Sequence, residues 1–131
     1  MSLYNRLLYY KPVRAVVGNV DGYPLRHLLP TTHIFEVEKV RVLMTHIGGY
    51  PGKYAAGILP QLRNNRTTLF ISGHSHILKV MYDPTLGLLH INPGAAGRQG
   101  FHKVRTLVRF TIDGDKIKDL EIKEIPLNEA D

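Results

Sequence analysis

Three apolar runs in this sequence stop in the same way, and that shared ending constrains the fold more than any other feature. Residues 13–17 (VRAVV) run into Gly18-Asn19-Val20-Asp21, residues 40–45 into His46 followed by Gly48-Gly49, and residues 68–72 into Gly73-His74-Ser75-His76. Short continuous apolar runs bounded by turn residues read as strands covered on both faces, the kind found in layered α/β domains. In open α/β sheets, ligands bind in the crevice at the carboxyl ends of the strands, and glycines there let the backbone come close. His74 and His76 stand at i and i+2, far apart around a helix but on one side of an extended chain. If the three strand ends lie side by side, Asn19, His46, His74 and His76 point into one pocket. Imidazole nitrogens and an amide oxygen suit manganese, iron, nickel, cobalt or zinc without any thiolate. The alternative, residue by residue, is an asparagine capping a turn and histidines that are merely hydrogen bonded.

The rest of the chain is rich in strands. Residues 32–46 give two strands with a tight turn near Glu38 and Lys39. After GGYPG, residues 53–65 (KYAAGILPQLRNN) carry Ala56, Leu59 and Leu62 at helical spacing, with Pro60 and the asparagines weakening or ending the helix. ILKVMYD and LLHINPG form a second hairpin around PTLG, and KVRTLVRFTI and KIKDLEIKEI a third around Asp113-Gly114. YNRLLYY, near the amino end, is a candidate second helix, and the tail PLNEAD is expected to fray. The segment INPGAAG, residues 91–97, ends another apolar strand in Asn92-Pro93-Gly94. Such a combination presents backbone amides to a bound anion, or else is a plain tight turn.

Length and composition then limit the classes of function. At 131 residues the chain makes a single domain, spanning 1–131. With 44% hydrophobic and 21% charged residues, it is neither disordered nor collagen-like. No apolar run approaches the roughly 18 residues that span a bilayer, so no membrane is expected. Cysteine is absent, which excludes disulfides, zinc–thiolate sites and thiol catalysis. No secretory signal is apparent, and the expected location is the cytoplasm. The net charge of +6 attracts anions, phosphorylated metabolites as much as nucleic acid. The basic residues, Lys53 and Lys79 among them, are scattered without a compact stripe or interleaved aromatics. They read as solvated surface, and nucleic acid is not the expected partner.

Taken in order, Gly18-Asn19-Val20-Asp21, Thr45-His46 with its glycines, Gly73-His74-Ser75-His76 and Asn92-Pro93-Gly94 resemble the calcineurin-like metallophosphoesterases, in particular their small prokaryotic phosphodiesterase branch. The resemblance implies a four-layer α/β/β/α sandwich, here strand-rich with few helices, in which a metal-activated hydroxide attacks phosphorus between two divalent ions. It implies Asn19, His46 and His74 as ligands of the second metal, His76 as a ligand of the first, and Asn92 and Gly94 as substrate contacts. Val20 stands where many relatives have a proton-donating histidine; valine donates none, so water or another group must do so.

The family pattern also includes an amino-terminal strand ending in Asp-x-His and a strand ending in Gly-Asp that supplies a bridging aspartate. No Asp-x-His occurs here, and the sole Gly-Asp, Gly114-Asp115, falls in a hairpin turn. The expectation is a truncated sandwich lacking its amino-terminal strand–helix–strand unit, with weak metal binding because the anionic ligands are absent. Such a gap exposes strand edges and favours a homo-oligomer. The expected function is divalent-metal-dependent hydrolysis of a small phosphodiester or phosphomonoester. The alternative is a non-catalytic interaction scaffold of the same fold, like the retromer subunit that keeps it.

Overall fold

The computed structural model describes residues 32–75, 77–94 and 104–126. The predicted strand at 13–17, the candidate helix YNRLLYY, Asn19, Val20, His76 and the tail from 127 onward lie outside the described residues.

Strand β1 (Thr32–Val37) turns at Glu38-Lys39 into β2 (Val40–Thr45), as the alternation of apolar residues predicts. The GGYPG segment, expected as loop, forms a small hairpin of β3 (Gly49–Tyr50) and β4 (Lys53–Tyr54). Pro51-Gly52 closes it, with Gly52 at φ 89. Helix α1 (Ile58–Asn64) starts later than its apolar spacing suggests, because Gly57 sits at φ 82 and cannot belong to a right-handed helix. Pro60 does not interrupt it. Third in the first turn, it occupies a position whose N–H would have no intrahelical acceptor. The helix stops at the asparagines. Arg66, at φ 50, donates its N–H to Arg63 O, and Thr67 donates to Leu62 O, the paired bonds of a Schellman ending.

Among the described residues, strands β5 (Leu69–Ile71), β6 (Leu78–Asp83) and β7 (Leu88–Pro93) join β1 and β2 in a five-stranded sheet of order β1-β2-β5-β7-β6. The central β2, β5 and β7 run parallel, and the edge strands are antiparallel to them. One face packs Leu43, Phe70 and Leu88 against Ile58 and Leu62 of α1. On the other, Val40, Val42, Leu69 and Ile91 meet the hairpin of β8 (Val104–Asp113) and β9 (Lys116–Pro126). That hairpin is locked in place at its turn: Lys39 N–H donates to Gly114 O, and Gly114 N–H to Glu38 Oε1, both at 2.9 Å.

The sequence of β9 explains its one irregularity. Ile117 and Leu120 are three apart, so strict alternation would put them on opposite faces. A bulge opposite Arg109–Thr111, with Asp119 at φ 55, takes up the extra residue and turns both toward the sheet. The described residues thus form three layers, helix, sheet and hairpin, a mixed α/β fold with one helix. Among them no second helix covers the outer face of β8–β9, where Leu107 remains exposed.

Candidate metal and phosphate site

Parallel pairing of β2, β5 and β7 brings their carboxyl ends to one edge of the sheet. His46 follows β2, His74 follows β5, and Asn92 lies near the end of β7. The Gly73 N–H donates to His46 O at 2.9 Å, which fastens the β5 loop to the β2 loop. The two imidazoles then meet edge to face, centroids 5.0 Å apart, with His74 Nδ1 3.2 Å from His46 Nε2. His74 adopts φ 71, a left-handed conformation uncommon for a residue with a Cβ. Residues held in such conformations cluster at functional sites, where the surrounding structure over-determines them.

Asn92, buried at 4% exposure, braces this loop. Its Nδ2 donates to Gly73 O (3.2 Å) and Ser75 Oγ (3.0 Å), and its Oδ1 accepts the Gly94 N–H (3.1 Å). Asn92 and Gly94, predicted as substrate contacts, therefore sit at the same edge, with the Gly94 amide directed to the Asn92 side chain. Gly48 is required by packing, since a Cβ there would collide with the Phe70 ring and Ser72.

His74, Asn92 and the Gly48 and Gly73 backbone line a cleft of about 460 Å³ on the helix side of the sheet, beneath the β3–β4 hairpin. Its walls include His74, Tyr50, Lys53, Lys79 and His90. Lys79 Nζ lies 3.9 Å over the Tyr50 ring centroid. His90 is buried against Phe70, ring centroids 5.0 Å apart, with Nδ1 3.2 Å from Phe70 O. Burial holds its pKa below the ordinary value, opposed by the Phe70 carbonyl and assisted by the Lys79 charge. Lys53 and Lys79 are thus cleft residues, where composition alone reads solvated surface. The signal for Lys79 was its register, directly opposite Asn92 in the β6–β7 hairpin; nothing in the sequence marks Tyr50.

The donor chemistry fits a divalent ion. Two imidazole nitrogens bound to one tetrahedral ion at about 2.0–2.1 Å are separated by roughly 3.3–3.4 Å, close to the 3.2 Å between these rings, a distance at which they also hydrogen bond. Among the described residues, no group of three or more histidines and carboxylates gathers to complete such a site. Asn19 and His76, the other predicted ligands, lie outside those residues.

A mixed sheet with polar, glycine-bounded strand ends and paired histidines defines an α/β domain with a ligand crevice at the carboxyl edge of its strands. The family model of the calcineurin-like phosphoesterase superfamily domain matches residues 1–115, and the chain belongs to that superfamily. Among solved structures, it is similar to wild-type Vps29 complexed with Zn2+ from Entamoeba histolytica, at 17% identity and TM-score 0.67, covering 95% of this chain and 75% of that one. A Thermotoga maritima protein aligns at 23% identity and TM-score 0.65, covering 95% and 74%. A Streptococcus pneumoniae protein described as a predicted phosphoesterase aligns at 20% identity and TM-score 0.63, covering 88% and 63%. The search of curated proteins found no match. No helix among the described residues is long and apolar enough to cross a membrane.

Proposed function

We propose that this chain is a divalent-metal-dependent phosphoesterase acting on small phosphodiesters or phosphomonoesters. The observation that carries the reading is the 3.2 Å approach of His74 Nδ1 to His46 Nε2 at the carboxyl edge of the sheet. His46 and His74 would hold the second of two ions (manganese, nickel, iron, cobalt or zinc), with Asn19 as the further ligand the family pattern supplies there and His76 as a ligand of the first. When bound, a divalent ion lowers the pKa of its water toward neutrality and offsets the negative charge of the phosphoryl oxygens.

The chain's own residues do the positioning. The Gly73 amide keeps the two rings within reach of each other, Asn92 holds the Gly73–Ser75 loop, and Gly48 admits the loop over Phe70. Hydrolysis joins a water oxygen to phosphorus, breaks the bond from phosphorus to the leaving oxygen, and delivers a proton to that oxygen. Val20 donates none, so solvent or a cleft group supplies the proton.

The test is manganese-stimulated hydrolysis of bis(4-nitrophenyl) phosphate by the chain as given, by His46→Ala and by His74→Ala. Each substitution is expected to lower the stimulated rate by about tenfold or more. Equal rates in all three would remove catalysis from this polypeptide.

A second reading, a catalytically silent interaction module of the same fold, draws on the lack of a completed ligand cluster among the described residues. It predicts no metal-stimulated turnover. The cytoplasmic location remains part of the proposal, in keeping with a cysteine-free sequence. So does a homo-oligomer, for which β6, at the edge of the sheet among the described residues, offers exposed Val80, Met81 and Tyr82. A monomeric mass by light scattering would refute the oligomer.

A further inference from the structure

We infer that the cleft beside His46 and His74 is a subsite for a second anionic group carried on the leaving portion of the ester, bound by Lys79 and Lys53. The inference rests on the phosphoesterase reading for the position of the phosphoryl group, and on its own observations for the rest.

Lys79 is opposite Asn92 in the β6–β7 ladder, and directly opposed residues share a face. Asn92 braces the His74 loop from that face, so Lys79 projects on the side of the histidine pair. Its ammonium rests over the Tyr50 ring, which orients the charge without neutralising it. Lys53, from the facing hairpin, lines the same cleft, and among the described lining residues there is no aspartate or glutamate. Asp83, the carboxylate farther along β6, is engaged by the Tyr54 hydroxyl and the Thr85 and Leu86 amides.

Two ammonium groups beside a site for a dication repel it and each other, unless the ligand brings more negative charge than one phosphoryl group. Beside His74, Ser75, His90 and Asn92, the wall is apolar, with Ile47, Ile77 and the Tyr50 ring. The substrate class that matches is a phosphate ester whose leaving group has an apolar or aromatic body ending in an anion, either a carboxylate or a second phosphate.

The experiment compares phenyl phosphate, 4-carboxyphenyl phosphate and 1,4-phenylene bisphosphate as substrates for the chain as given, Lys79→Met and Lys79→Arg. The expected result is a kcat/KM about tenfold higher for at least one anionic ester than for phenyl phosphate, a ratio that falls toward one in Lys79→Met and survives in Lys79→Arg. Preference for the carboxylate or the bisphosphate identifies the anion. Hydrolysis of all three at equal efficiency overturns the subsite and leaves the phosphoesterase reading standing. If none is hydrolysed, calorimetric binding of the same compounds decides. Tighter binding of an anionic ester that Lys79→Met abolishes upholds the subsite although catalysis has failed, and equal binding overturns it.

Discussion

Replacing Tyr54 by phenylalanine tests how the wall of the cleft is held. Tyr54 packs its ring on Phe70, centroids 5.8 Å apart, and donates its hydroxyl to Asp83 Oδ2 at 2.6 Å. Phenylalanine keeps the ring contact and deletes only the donor, so the change isolates the bond tying the β3–β4 hairpin to β6. Hydrogen bonds to charged acceptors contribute about 1.5–3 kcal/mol, and the half-buried position of Tyr54 argues for the lower end. The expected loss is about 1.5 kcal/mol, or about 6 °C in Tm for a chain of this size. The pH dependence makes the assignment specific. The Tyr54 hydroxyl, chiefly, with the Leu86 and Thr85 amides, holds the Asp83 carboxyl below its usual range against the opposing effect of burial. Its stabilisation is therefore complete above the unfolded value near about 3.9 and is lost as pH falls through the lower folded value. Burial, then the Asp83 bond and charge, push the Tyr54 pKa far up. That contribution is complete below the unfolded value near about 10 and is lost as pH rises beyond it. The difference in stability between the native chain and Tyr54→Phe, measured by urea unfolding, should form a plateau from about pH 4 to 10 and shrink on both sides. Equal stabilities at pH 7, or a difference unchanged from about pH 2 to 11, would refute the reasoning.

Further outcomes follow from other contacts. Burial depresses the His90 pKa, so the folded chain should lose stability as pH falls below about 6.5; His90→Asn, whose amide can also donate to Phe70 O, should flatten that limb in pH-dependent unfolding. Arg66→Gly should raise Tm, since a left-handed L-residue costs about 1–2 kcal/mol and glycine returns part of that gain in chain entropy; a lower Tm would contradict the Schellman ending. Leu62→Ala, at a core position with 2% exposure, should destabilise by about 2–5 kcal/mol in denaturant unfolding. Gly48→Ala should lower both stability and metal-stimulated activity, because its Cβ meets the Phe70 ring directly beneath the histidine loops.

The hairpins were legible because apolar alternation and turn residues coincide: β1–β2, β6–β7 and β8–β9 fall where Glu38-Lys39, PTLG and Asp113-Gly114 put them. The β3–β4 hairpin was not, since two-residue strands carry no periodicity and only the φ of Gly52 and Gly57 separates them from a helical continuation. The convergence of His46 and His74 was readable as a conditional statement, true if β2 and β5 are parallel neighbours. What no local pattern contains is the strand order that sets the β6–β7 hairpin beside β5 and so brings Lys79 and Asn92 to the histidine loops.

The left-handed backbone of His74 carries the comparison furthest. A glycine or asparagine at such a position signals its conformation in the sequence, whereas a histidine conceals it. Here Gly73 supplies the flexibility one residue early, and the strain falls on the residue whose ring faces His46. Were position 74 chosen for stability, glycine or asparagine would adopt the same φ with less strain. Asn at 74 should therefore leave the fold at least as stable by thermal unfolding while removing the imidazole and, with it, metal-stimulated hydrolysis. A large fall in stability for His74→Asn would mean that the imidazole pair itself holds the loops together, and the case for strain retained for function would be lost.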